Sequence, residues 1–165
     1  MKTLSAVALG LFVVACSSTG TLGDRPAISD AVYKQAGIAR SAWELKDARM
    51  LVGSQSDALV VKTTDGKSMS GNDLVSDVQR RMDETKQIKG LSVHIDSITI
   101  SGQTATVVST QKLTRVVSQN GVDRTQISTV QQRQQFKKAA NGEWQPDATI
   151  EQLTADAEWA AGPKA

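Results

Sequence analysis

The only histidine of the chain, His94, stands two residues before an aspartate in the segment SVHIDS. In a β-strand this spacing puts His94 and Asp96 on the same face, about 6.5–7 Å apart along the strand. Inside a pocket, such a pair would serve as a general base toward a small substrate. On an exposed face it would be solvated, while the alternating apolar residues of the strand fill the core. The residues alone leave both interpretations open.

A second polar segment, TVQQRQQFKK, lacks the clean alternation of apolar and polar residues that a strand packed on a core shows. Glutamine and arginine side chains facing a cavity would bind a ligand through amide and guanidinium hydrogen bonds. The same residues on an outer face would meet solvent or a partner subunit. The predicted ligand-facing set is Gln131, Arg133 and Gln135, and the opposite set is Val130, Gln132, Gln134 and Phe136.

The only cysteine, Cys16, follows the apolar run LFVVA near the start of the sequence. A basic first segment, a short apolar core and small residues before the cysteine are typical of a secretory signal. Val13-Val14-Ala15-Cys16 resembles the lipobox of bacterial lipoproteins, in which the cysteine thiol is acylated and the signal is cut just before it. This resemblance predicts a signal peptide over residues 1–15, a lipid anchor at Cys16 and a flexible polar tether over residues 16–27.

The resemblance also suggests a location. Ser17 is not the aspartate that typically retains lipoproteins in the inner membrane, so we expect the outer membrane, with the domain facing the periplasm. No cysteine follows Cys16, and the sequence shows no phosphate-binding loop, zinc-ligand spacing or nucleophile elbow. We therefore expect no disulfide, no metal and no cofactor. With 19 basic and 17 acidic side chains interspersed, the chain is not expected to bind nucleic acid.

The hydrophobic patterning divides residues 28–165 into helices followed by strands, a single α+β domain. Helices are predicted from Ile28 to Trp43, at 48–52 and at 70–87, with a strand at 58–63 between the last two. Strands are predicted at 91–100, 104–117 and 125–138, then a hairpin turn at Asn141-Gly142 and a short strand around Trp144. The sequence DATIEQLTADAEWAA predicts a weak C-terminal helix that would carry Trp159.

This order resembles the NTF2-like superfamily, particularly its SnoaL-like and DUF4440-type bacterial members. The matching segments are LKDARMLVGSQSDALVV, TTDGKSMSG, ITISGQTATV and FKKAANGEWQ. The resemblance implies a cone in which a curved antiparallel sheet wraps a long helix and leaves a pocket at its open end.

Two functions follow as expectations from this resemblance. The first is a non-enzymatic envelope lipoprotein whose domain binds a small apolar ligand, another envelope protein or a second copy of itself. The alternative is an acid–base enzyme of the isomerase, dehydratase or cyclase type. Its candidate catalytic residues are His94, Asp96 and Tyr33, because some relatives use histidine with aspartate and others present a helix tyrosine to an oxyanion. The two differ in geometry, because the enzyme needs these side chains to converge in one pocket.

Overall fold

A computed structural model describes residues 23–55, 58–119 and 121–160. These residues form three helices and six strands. The helices are α1 (Asp24–Leu45), α2 (Ala48–Gly53) and α3 (Gly71–Asp83). The strands are β1 (Val60–Lys62), β2 (Ser68–Ser70), β3 (Thr85–Ser101), β4 (Thr104–Gln119), β5 (Val122–Lys138) and β6 (Trp144–Trp159). The signal peptide, Cys16 and most of the predicted tether lie outside the described residues.

The strands form one sheet in the order β2-β1-β6-β5-β4-β3. Strands β3 to β6 form an antiparallel meander, as predicted, although the last strand is long where only a short strand around Trp144 was expected. The short β1 joins β6 in parallel. The helices cover one face, so the sheet has an inner face and an outer face. This α+β arrangement of N-terminal helices on a curved, unclosed sheet confirms the predicted fold class.

Helix α1 lies against the inner face because its apolar residues recur on one side. Ile28, Val32 and Ala42 are all buried. The helix ends at Leu45, and the next residue, Lys46, caps it in a left-handed conformation with φ 56°. The helix begins at Asp24, four residues before the boundary predicted at residue 28. Asp24 is buried there, and the cost of burying its carboxylate is offset by hydrogen bonds that it accepts from Lys138 Nζ at 2.6 Å and from Trp144 Nε1 at 3.3 Å.

The core continues from α1 across the meander. Its largest cluster joins Ile28 and Val32 to buried residues of β3, β4, β5 and β6, with Phe136 only 1 % exposed. A second cluster joins α2, α3, β1 and β6 around Leu74 and Ile150. The two clusters lie on the same side of the sheet, which leaves the outer face predominantly polar.

The predicted C-terminal helix is wrong, because residues 144–159 form the single strand β6. It pairs with β5 from Trp144 opposite Lys138 to Trp159 opposite Gln126. Two irregularities in that pairing interrupt the alternation of side chains, so the segment does not show the period of a strand. Its Ala and Glu residues favour a helix locally, but pairing with the open edge of β5 outweighs that preference.

A smaller correction concerns α3, which ends at Asp83 instead of continuing to residue 87. The hairpin predicted at Asn141-Gly142 is confirmed, with Gly142 at φ 85° and its amide donating to Ala139 O at 2.9 Å. A positive φ of this kind is costly for residues other than glycine. Within the described ranges, no helix is both long enough and apolar enough to cross a membrane.

Candidate functional site

A cavity of about 150 Å³ lies between the inner face of the sheet and the three helices. All three helices and five of the strands contribute to its wall. Most of the described lining residues are apolar: Val32, Ala36, Ala39, Leu51, Val52, Leu59, Val61, Leu74, Val78, Leu91, Val93, Val107, Phe136 and Ile150. The space therefore continues the two core clusters and leaves part of the interior unfilled.

The remaining described lining residues are five glutamines and one serine: Gln35, Gln55, Ser109, Gln111, Gln132 and Gln134. None of the lining residues that the structure describes carries a carboxyl, imidazole, amino, guanidinium, phenol or thiol group. The wall therefore offers neutral hydrogen-bond donors and acceptors in an apolar surround. Such a surface can orient a ligand, but its described groups supply no side chain suited to proton transfer near neutral pH.

Gln134 holds one side of the cavity together. Its side chain is buried, and its Nε2 donates to Gln55 Oε1 at 3.1 Å and to the carbonyl oxygen of Asp147 at 3.3 Å. The first bond connects β5 to the segment after α2, and the second connects β5 to β6. A buried amide of this kind is costly unless it is paired. Gln134 thus fixes Gln55 against the sheet at the cavity wall.

Gln35 differs from Gln134, because its buried side-chain nitrogen has no partner. Gln35 lies on α1 between Val32 and Ala39, which line the same cavity. Among the described residues, Gln35 Nε2 is the one buried side-chain nitrogen or oxygen without a hydrogen bond. An unpaired buried donor destabilises the protein, and such groups are rare in folded proteins.

The structure places the predicted ligand-facing set on the outer face, away from the cavity. Gln131 Nε2 donates to Asp96 Oδ2 at 3.0 Å, and Arg133 pairs with Glu151 at 2.9 Å. Gln135 is exposed. These three positions fit the other interpretation, an outer sheet face, because the buried Phe136 shares its face with Gln132 and Gln134, which line the cavity instead.

His94 and Asp96 do share one face of β3, as predicted, but that face is the outer one. The His94 side chain is 81 % exposed, and its Nε2 lies 3.9 Å from Asp96 Oδ1. Hydrogen bonds from Thr110 and Gln131 hold the pKa of Asp96 below its usual range, and desolvation opposes this effect. Asp96 is therefore an ionised acceptor in an outer-face network, while the alternating apolar residues of β3 point inward.

Tyr33 also lies outside the cavity lining, since it is 52 % exposed on α1 although its neighbour Val32 is buried. His94, Asp96 and Tyr33 thus do not converge in the cavity. The tryptophans make packing contacts: Trp144 is buried, Trp43 lies under the guanidinium of Arg115, and Trp159 contacts Arg124.

Three glutamines that line the cavity, Gln35, Gln132 and Gln134, were not among the predicted ligand-binding residues. The sequence analysis chose Gln131, Arg133 and Gln135 as ligand-facing candidates, although Phe136, the only aromatic residue of β5, lies on the opposite face. A large aromatic residue marks the face that is buried, and alternation from Phe136 then assigns Gln134 and Gln132 to the interior. For Gln35, the signal is its position between apolar residues of one helix face, three residues after Val32 and four before Ala39.

Comparisons with solved structures show the class of fold. An NTF2-like protein from Cytophaga hutchinsonii matches 75 % of this chain and 95 % of its own, with 13 % identity and a TM-score of 0.51. An NTF2-like protein with a cystatin-like fold from Novosphingobium aromaticivorans matches 79 % and 81 %, with 18 % identity and a TM-score of 0.50. A candidate scytalone dehydratase from the same organism matches 87 % and 92 %, with 16 % identity and a TM-score of 0.56.

The chain therefore has the NTF2-like fold. Sequence identities this low show a shared fold but do not show a shared activity. No protein-family model matches the sequence, and no curated protein matches it either.

Proposed function

We propose that this protein is a non-enzymatic binding module that holds a small uncharged molecule in its cone. The observation that carries this proposal is the chemistry of the cavity wall. Its described residues are apolar except for glutamines and one serine. Such a wall favours burial of apolar surface, with a few neutral groups to orient the ligand.

The acid–base alternative has less support. Its three candidate residues lie on the outer face or on the exposed side of α1. Proton transfer requires a titratable group within hydrogen-bond distance of the reacting atom. The described cavity lining provides none, so binding is the function that this geometry favours.

Benzene is a suitable first probe, since a cavity of about 150 Å³ lined by apolar side chains is known to accommodate it. Ala36→Leu adds three carbon atoms at the cavity wall without disfavouring the helix. Ala27→Leu is the matched control, because Ala27 is an exposed residue of the same helix. We expect saturable benzene binding to the full chain, weakened at least about tenfold by Ala36→Leu and unchanged by Ala27→Leu. Equal binding to both variants would place the ligand elsewhere and contradict the proposal.

We further propose that Cys16 anchors the domain to the cell envelope through a lipid, on the outer membrane facing the periplasm. The support is the resemblance of VVAC to a lipobox and the polar residues that follow it. Two or more acyl chains give stable attachment. Cys16→Ser is expected to remove the protein from the membrane fraction or leave its signal uncleaved. Unchanged fractionation together with an unchanged mature mass would contradict the anchor.

A further inference from the structure

The unpaired amide nitrogen of Gln35 restricts the chemistry of the ligand. This nitrogen is buried and has no hydrogen-bond partner, so it has lost its bonds to water and gained none in exchange. A bound molecule with a suitably placed acceptor oxygen would satisfy it. Gln35 projects from the middle of α1, where Val32, Ala36 and Ala39 line the same cavity, so an acceptor placed there belongs to a molecule that is otherwise in apolar contact.

The acceptor is also expected to be uncharged. A carboxylate in this cavity would be desolvated, and the described lining residues include no cationic side chain to offset that cost. A carbonyl oxygen accepts hydrogen bonds without carrying a charge and without requiring an acceptor in return. The volume of about 150 Å³ suits a ligand of roughly one six-membered ring.

We infer that the cavity selects uncharged carbonyl compounds, namely small ketones, esters or amides, and that Gln35 Nε2 donates the hydrogen bond that recognises the carbonyl oxygen. This inference rests on the proposed binding function and makes it more specific. It assigns Gln35 as the residue that determines specificity, whereas the apolar wall supplies affinity to any molecule of the right size.

The test compares two ligands of nearly the same shape, cyclohexanone and methylenecyclohexane, which differ by a carbonyl oxygen in place of a CH₂ group. Their dissociation constants are measured on the full chain, on Gln35→Met and on Gln135→Met. Methionine keeps the length of the glutamine side chain and removes its donor. Gln135→Met is the matched control on the exposed outer face. The ratio of the two constants cancels any general change in the cavity.

We expect Gln35→Met to shift this ratio against cyclohexanone by at least about tenfold, and Gln135→Met to leave it unchanged. A ratio that Gln35→Met leaves unchanged, within about twofold, would overturn the inference. If both ligands still bound, the proposed binding function would stand without the carbonyl preference. If neither ligand nor benzene bound to the wild type, the binding function and this inference would both fail.

A second measurement uses the wild-type chain, so it does not depend on the folding of a variant. The side-chain ¹⁵N resonance of Gln35 is followed as each ligand is added. A hydrogen bond to the carbonyl would shift this resonance with cyclohexanone and much less with methylenecyclohexane. Equal responses to the two ligands, or no response to either at saturation, would contradict the assignment of Gln35.

Discussion

Replacement of Gln134 by methionine tests whether the hydrogen bonds of its side-chain amide stabilise the cavity wall. Gln134→Met keeps the length of the side chain and removes an amide whose nitrogen donates at 3.1 Å to Gln55 and at 3.3 Å to Asp147 O. The neighbouring substitution Gln135→Met makes the same chemical change on the opposite, exposed face of β5. The pair therefore separates the effect of position from the effect of residue type.

The expected cost follows from these two bonds. A neutral hydrogen bond contributes about 0.5–1.5 kcal/mol to stability, so two contribute about 1–3 kcal/mol. The bond to Asp147 O is long for this type, and burying an apolar methionine offsets part of the loss. We expect the free energy of unfolding to fall by about 1–2 kcal/mol for Gln134→Met, and by less than about 0.5 kcal/mol for Gln135→Met.

Urea unfolding of both variants and the wild type gives these values, and thermal unfolding provides a check. A loss of 1 kcal/mol lowers Tm by about 2–4 °C in a domain of this size. A double-mutant cycle with Gln55→Ala isolates the bond between β5 and the segment after α2, with an expected coupling of about 0.5–1.5 kcal/mol. A larger loss for Gln135→Met than for Gln134→Met would refute the assignment of inner and outer faces on β5.

Two further predictions concern stability away from the cavity. Arg115 is buried and donates to Gln126 Oε1, Arg81 O and Thr85 Oγ1, so we expect Arg115→Met to lower the free energy of unfolding, measured in urea, by about 2–4 kcal/mol. Arg133→Met, at an exposed ion pair, should lower it by about 0–1 kcal/mol. Similar losses for both variants would contradict the buried role of Arg115. Because the pKa of Asp96 is lowered in the folded state, its stabilising contribution is present above the ordinary Asp pKa and is lost as pH falls through the lowered one. The stability difference between wild type and Asp96→Asn should therefore shrink on acidification from pH 6, and a constant difference would contradict the outer-face network.

Much of the fold could be predicted from local patterns. The apolar spacing of Ile28 and Val32 predicted α1, and Asn141-Gly142 predicted the last hairpin, because helix periodicity and turn chemistry are properties of neighbouring residues. The strand β6 could not be predicted in this way. Its identity depends on pairing with β5, whose partner residues lie farther away along the sequence with each step from the hairpin, and its irregular register hides the alternation.

The cavity was harder to predict than the fold, because a binding site depends on which face of a strand turns inward. His94 and Asp96 have the residue types of an acid–base pair, yet alternation along β3 directs them outward while its apolar residues fill the interior. The unpaired state of Gln35 Nε2 is a property of its three-dimensional surroundings, and no residue pattern in the sequence reports it.

The proposal that a small uncharged ligand binds inside the cone is tested most directly by mapping where such a ligand binds. The methyl groups of Ala36 and Ala39 report on the cavity, and those of Thr110 and Thr129 report on the outer face of the sheet. With cyclohexanone added to the isotope-labelled full chain, we predict that the two alanine methyl resonances shift and saturate with one dissociation constant, while the threonine methyls stay in place. Shifts confined to the outer-face threonines, or no saturable shift at the alanines, would contradict binding in the cone.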